Sequence, residues 1–292
     1  MKKCLKSALF VLLFVLTLRV APVCAEAATF QSVPLSFPEA SDEGQKDLEK
    51  LKIGSKYFWI RDYKLFYSAS PKAKGQKIAN NIYGAVTDGK VIYFARRSST
   101  TPKATVYSYT VKNKKKKSFG NVKDVSSVIG CVGGKVYLAG VDALGKGKVI
   151  KFDPKSKKAS EKTVSYRLDS GISYGRYATG WEMVFDGDNS YTSDLYLHDL
   201  ITGKGKCIAK NGAGYNTCFT KNKLYYKQEY YKKDPSTKQL KYKGSKIYTY
   251  NLKTGKKTAV TKMLNIYTIT KLTPSYVKYM QQGTGKLRTV KF

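Results

Sequence analysis

Few stretches of this chain combine residue types at spacings that would support catalysis. Gly171-Ile172-Ser173-Tyr174-Gly175 has the G-x-S-x-G spacing in which a sharp strand-to-helix turn exposes a serine nucleophile, and acids and His198 follow it in the hydrolase order. His198 is the only histidine, so a Ser-His relay or a His-based metal site would have to rest on this one residue. Asp186-Gly187-Asp188-Asn189-Ser190, with Asp194 after it, alternates oxygen ligands as a loop around a hard cation such as Ca²⁺ would. The EF-hand order is missing, with no Gly at the sixth position and no Glu at the twelfth, so Asp186, Asp188 and Asp194 are weak metal candidates and the segment reads better as a hairpin loop. Glu182 and Asp186 are even-spaced on one strand and would be the acid pair of a glycosidase, but acids this near in sequence are ordinary. No catalytic residue, metal or other cofactor is assigned from these motifs.

The stronger signal is charge. Lys+Arg number 54 against 20 Asp+Glu, giving +34, and only seven of the 54 are Arg. Lys112, Lys114, Lys115, Lys116 and Lys117 crowd one turn, and Lys155, Lys157 and Lys158, then Lys253, Lys256 and Lys257, repeat the arrangement. Such a surface attracts polyanions by counterion release and field focusing, and lysine favours diffuse point-charge attraction over bidentate recognition. Tyr230, Tyr231 and Tyr242 lie in the longest insertion, 227–246, where loop tyrosines would stack on sugar rings.

The elements that must position these residues come from an internal repeat. A strand recurs as Gly89-Lys90-Val91-Ile92-Tyr93-Phe94, Gly134-Lys135-Val136-Tyr137-Leu138, Gly180-Trp181-Glu182-Met183-Val184-Phe185 and Asn222-Lys223-Leu224-Tyr225-Tyr226, with weaker copies from Ser55 and Ser275. A second alternating strand follows, as in Val106-Tyr107-Ser108-Tyr109-Thr110 and Ile247-Tyr248-Thr249-Tyr250-Asn251, and then a Lys-rich or Thr-Gly turn. His198 aligns with Tyr109, Phe152 and Tyr250, which makes it a strand residue rather than a general base. Six starts spaced 34 to 53 residues apart, with no helical pattern, predict an all-β, six-bladed β-propeller over 55–292. The innermost strands are expected to contain Tyr83-Gly84-Ala85-Val86, Val128-Ile129-Gly130-Cys131 and Tyr215-Asn216-Thr217-Cys218. The last repeat has three strands, and Thr29 to Leu35, within the N-terminal segment 26–54, is expected to supply its missing outer strand and close the ring. Glu39 to Lys52 would hold a short helix or the first inner strand.

Lys2, Lys3 and Lys6 followed by the apolar run from Ala8 to Leu18 and the small residues around Ala25 read as a signal peptide over 1–25. The run is too short to span a membrane, and no later segment would do so. Cys24 leaves a lipid anchor as an alternative. The mature charge is about +30. Cys131, Cys207 and Cys218 remain, and they read as small buried hydrophobes in preference to a Cys207–Cys218 bridge.

The Lys-Val-Tyr and Lys-Leu-Tyr-Tyr strands, with Ile-Tyr-x-Tyr-Asn and Thr-Gly-Lys turns, resemble bacterial six-bladed propellers related to the low-density-lipoprotein-receptor (YWTD-type) propellers and grouped as a domain of unknown function. The resemblance covers about 45–292 and implies the fold. It carries over no site residue, since Tyr-Trp-Thr-Asp occurs in no blade. The expected protein is a secreted, monomeric, non-enzymatic binding or scaffold propeller that associates with anionic wall polymers or acidic glycans through its Lys-rich rim. A protein partner is the lesser expectation and nucleic acid is not expected. The alternative is a hydrolase or lyase acting on an anionic glycan in the central channel.

Overall fold

Alternation of apolar and polar residues dominates the chain, and its consequence is an all-β molecule. The computed structural model describes residues 30–33, 35–36, 49–168, 172–185 and 191–292, and no helix occurs among them. In the strand Val91–Arg97, Ile92 and Phe94 are fully buried while Tyr93 between them is half-buried, as the period of two requires.

Four regular antiparallel meanders of four strands occupy 82–123, 125–164, 173–209 and 212–259. Two irregular sheets flank them in sequence. The first, over 51–80, has an extra strand, Leu35–Ser36, in parallel beside Lys56–Arg61, and the last, over 266–291, has three strands. The arrangement is that of a propeller, but the expectation of six equivalent blades is corrected to four regular blades and two irregular sheets. The core lies between neighbouring sheets. Phe58, Ile60 and Leu65 of the first sheet meet Ile82, Ile92, Phe94 and Tyr109 of the next. Leu195 and Leu197 meet Leu224, Tyr226 and Tyr250 in the same way. Each such side chain contributes about 1.5–3 kcal/mol through burial.

Small residues mark the crowded centre. A Cβ on Gly84 would sit 2.0 Å from the Ser127 hydroxyl, and one on Gly130 would sit 2.3 Å from Leu200. These glycines belong to Ile82–Thr87 and Val125–Val132, the first strands of their blades, as the repeat implied.

The expected ring closure is also corrected. Gln31–Ser32 does not complete the last sheet; it joins two regular blades by pairing with the first strand of each, Gln31 and Ser32 against Thr87 and Val86, and Gln31 against Tyr174. Gly175 N–H donates to Phe30 O at 2.6 Å and Val33 N–H to Ala85 O at 2.9 Å. The free edge of a first strand faces the propeller's centre, so residues 30–33 lie in the channel. The physical reason is burial: Phe30 and Val33 are 6% and 2% exposed, in two different core clusters, and an outer edge would cover neither so fully. The first inner strand is Leu51–Ile53.

Candidate functional site

The Lys-rich turns are set by a local device repeated along the chain. In three of them an Asp or Asn side chain accepts the backbone N–H two residues on: Asp153 from Lys155, Asp199 from Ile201 and Asn251 from Lys253. The backbone then passes through a left-handed residue, Lys114 (φ 58°), Lys157 (φ 59°), Gly203 (φ 65°) or Gly255 (φ 72°). All four turns connect the third strand of a blade to its fourth. Strand direction alternates in a meander, so these turns and the first-to-second turns emerge at the same end of every blade.

The expected lysines divide into two groups. Lys112, Lys114, Lys157, Lys158 and Lys256 are exposed at or beside these turns. Lys115, Lys116 and Lys117, also exposed, open the strand Lys115–Lys123, where the Lys116 ammonium lies 5.6 Å from the Tyr107 ring centroid and that of Lys117 5.4 Å from Phe119. Lys257 is exposed too, but its Nζ donates to Gln228 Oε1 at 2.5 Å and lies 4.4 Å from the Tyr248 ring, and partial desolvation of the ammonium lowers its pKa.

Many of the acids are paired with cations, Asp153 and Asp199 at the turns themselves. Asp153 pairs with Lys135 at 2.5 Å, Glu161 with Lys148 at 3.3 Å, Glu229 with Lys227 at 2.6 Å and Asp199 with Arg176. The metal candidate Asp194 is 2% exposed, bonds Lys210 Nζ at 2.5 Å and accepts the Asn211 N–H at 3.2 Å. Its oxygens are therefore committed to the protein. Asp186 and Asp188 lie outside the described residues, and no metal-ligating cluster of three occurs among those described. Glu182 accepts the Tyr196 hydroxyl at 2.6 Å.

Tyr230, Tyr231 and Tyr242 sit on strands, not in a loop: Lys223–Lys233 and Leu240–Asn251 form a long hairpin whose turn is 234–239. Their hydroxyls are engaged by Tyr248 (2.5 Å), Glu229 (2.6 Å) and Ser245 (2.8 Å) respectively. The polar run from Lys227 to Lys233 hides these strand positions from a periodicity argument.

Ser173 is buried in a two-residue strand and its hydroxyl lies 2.9 Å from that of Ser32, so it is no nucleophile elbow. His198 is fully buried, as are its repeat equivalents Phe152 and, nearly so, Tyr109 and Tyr250. Its Nδ1 is 2.5 Å from the Tyr166 hydroxyl, while Nε2 has no partner, and burial lowers its pKa from 6.5 to about 4. Cys131, Cys207 and Cys218 are free thiols, and burial pushes Cys131 up to about 12.

No family model and no curated protein matches the chain. Among solved structures it is similar to acylaminoacyl peptidase from Pyrococcus horikoshii, at 15% identity over 90% of this chain and 45% of that one, with a TM-score of 0.50. The chain is a β-propeller. It is also similar to the β-propeller domain of the Trilobed protease from Pyrococcus furiosus (14% identity, 90% of this chain, 82% of that one, TM-score 0.49) and to TolB from Acinetobacter baumannii (11%, 90%, 61%, TM-score 0.43). This propeller spans less than half of the peptidase chain, and the likenesses give fold alone; a relation to the low-density-lipoprotein-receptor propellers is not among what they establish.

Two features of the propeller escaped the sequence. Residues 30–33 fill part of the channel, and His198 is fully buried beside Tyr166 with Nε2 unpartnered. The first has no local signal, whereas the second is marked by one imidazole at a position where other blades carry Tyr or Phe.

Proposed function

We propose that this is an exported, non-enzymatic propeller, built on the six-fold repeat of the sequence, that holds anionic wall polymers or acidic glycans against the end of the blades bearing the Lys-rich turns. The observation that carries the reading is that Lys112, Lys114, Lys157, Lys158 and Lys256 are exposed at equivalent turns of three regular blades. Turns repeated around a rigid ring place charge at intervals that a long polymer meets several times, and several weak point-charge contacts add in one chain.

Propellers also occur in peptidases, as the acylaminoacyl peptidase likeness illustrates. Against an active site in this channel stand Phe30 to Val33, which occupy it, and the commitment of Glu182 to Tyr196 and of Asp194 to Lys210. The test pairs two readouts on the mature protein: affinity for polygalacturonate, and release of new reducing ends. Replacement of Lys112, Lys114, Lys157, Lys158 and Lys256 by Gln is expected to weaken binding at least tenfold with no reducing ends released by either protein. Release of reducing ends by the unaltered chain would establish the glycan hydrolase or lyase instead.

A further inference from the structure

The end of the propeller opposite the Lys-rich turns is apolar at its tips. Of nine exposed large hydrophobic side chains among the described residues, only Ile201 stands in one of the Lys-turn positions. Turns between second and third strands emerge at the opposite end, and they carry Tyr63 and Leu144, while Met183, Val184 and Phe185 end the second strand of the 173–209 blade. In the last sheet Tyr267 lies at the start of the first strand and Leu287 at the start of the third, at that same end. Two contacts fix the placement. Ile82 N–H donates to Tyr63 O at 2.9 Å and Arg167 Nε to Gly145 O at 3.3 Å, which holds these turns beside the connections between successive blades.

The 183–185 stretch decides what can cover such tips. Met183, Val184 and Phe185 pair with Ser193, Thr192 and Tyr191, whereas the first strand of the blade pairs only as far as Ala178 and the fourth begins at the partner of Leu195. The hairpin therefore runs out from the blade as a two-stranded ribbon. Side chains alternate in a strand, so Met183 and Phe185 share one face and Val184 takes the other, and both faces are exposed. Leu144, 82% exposed, stands in a turn in the same way. A protein partner covers one face of a ribbon and needs one contiguous patch; these tips belong to four separate sheets. A fluid apolar layer surrounds each tip separately.

Charge selects the kind of layer. Arg96, Arg97 and Lys103 frame the 82–123 blade's tip with no acid between them, and Lys232, Lys233 and Lys238 belong to the long hairpin of the 212–259 blade. Acids at this end are engaged: Asp62 with Arg61 at 3.5 Å, Asp194 with Lys210 at 2.5 Å, Asp234 with Lys241, and Asp142 with the N–H groups of Leu144 and Lys146. Asp186 and Asp188 follow Phe185 in sequence and subtract two charges, fewer than the cations add. Apolar tips among cations match an anionic lipid surface, whose acyl boundary receives the tips and whose headgroups meet the cations.

We propose that this end of the propeller docks on an anionic lipid bilayer, with Leu144 and the 183–185 ribbon entering the interface and Tyr63 and Tyr267 at headgroup level. The inference goes beyond the reading of the Lys-rich end and does not rest on it: the two ends address different surfaces, polymer at one and lipid at the other.

The test measures partition of the mature protein to vesicles of phosphatidylglycerol with phosphatidylcholine, and to vesicles of phosphatidylcholine alone, at one ionic strength. A net charge of about +30 by itself draws the protein to anionic vesicles, so the decisive variant keeps the charge: Leu144→Ser, Val184→Ser and Phe185→Ser together. At least tenfold weaker partition to the anionic vesicles, with adsorption to polygalacturonate unchanged, is the expected result. Leu144→Ser alone, remote in sequence from the ribbon and at an exposed position, is expected to weaken partition about threefold and keeps the test open if the triple variant fails to fold. Partition equal to that of the unaltered protein would show charge alone at work and overturn the docking, as would an equal loss on polygalacturonate. Self-association of the unaltered protein that the triple variant abolishes, without vesicle binding, would assign this end to a second copy and also overturn it.

Discussion

The Ser32 hydroxyl lies 2.9 Å from the Ser173 hydroxyl and accepts the Ser173 N–H at 2.9 Å, across 141 residues of chain. This contact ties the N-terminal strand to the first strand of the 173–209 blade, while Gln31 and Ser32 pair on their other side with the 82–123 blade. A segment of four residues therefore links blades that are not consecutive, from the centre of the ring.

Phe30→Ala is expected to destabilise the protein by about 3 kcal/mol, because Phe30 is 6% exposed in the largest core cluster and its removal leaves a cavity at the centre. Urea denaturation followed by Trp fluorescence measures it. A loss below about 1 kcal/mol would mean that the channel strand is dispensable.

Protonation of His198 gives a second prediction. Its folded pKa of about 4 lies below the ordinary 6.5, through burial first, with the Lys162 charge acting the same way and the Asp199 charge opposing. The unfolded chain therefore takes up the proton first as pH falls. Stability from this group is complete above about pH 6.5 and is lost down to about pH 4, by up to about 3 kcal/mol. His198→Phe, the residue that the 125–164 blade carries at the equivalent place, is expected to flatten stability over that window. Asp153, held well below the usual carboxylate range by Lys135, responds only at lower pH. An unchanged slope in the variant would exclude His198 as its source.

The repeated turn makes a third, paired prediction. Lys157 and Gly255 occupy the same left-handed position, at φ 59° and 72°. Gly255→Ala is expected to cost about 1 kcal/mol, and Lys157→Gly to stabilise by up to ~1 kcal/mol, since only glycine adopts this conformation without Cβ strain. Thermal unfolding of both variants checks the pair; a stabilising Gly255→Ala would contradict it.

How much was legible follows from the range of each interaction. Strands and turns were readable because alternation and the Asp or Asn turn are local and recur, so that even a buried histidine could be placed by its alignment with Tyr109, Phe152 and Tyr250. Pairing of Gln31 with Thr87 and Tyr174 depends on what the finished ring leaves open, and Phe-Gln-Ser-Val contains nothing that distinguishes an inner strand from an outer one. The same limit applies to the rim. Sequence located the lysines, but only the structure showed that the Lys257 ammonium lies over Tyr248, whereas Lys157 and Lys256 stand at the turns.

Salt dependence tests the binding account most directly. Adsorption of the mature protein to walls bearing anionic polymer is measured across ionic strength, beside the same walls stripped of that polymer. The account predicts log affinity falling linearly with log salt, loss of binding at molar salt, little binding to stripped walls, and a shallower slope when the turn lysines Lys114, Lys157 and Lys256 are replaced by Gln. Retention unchanged by molar salt, or equal on stripped and intact walls, would contradict it.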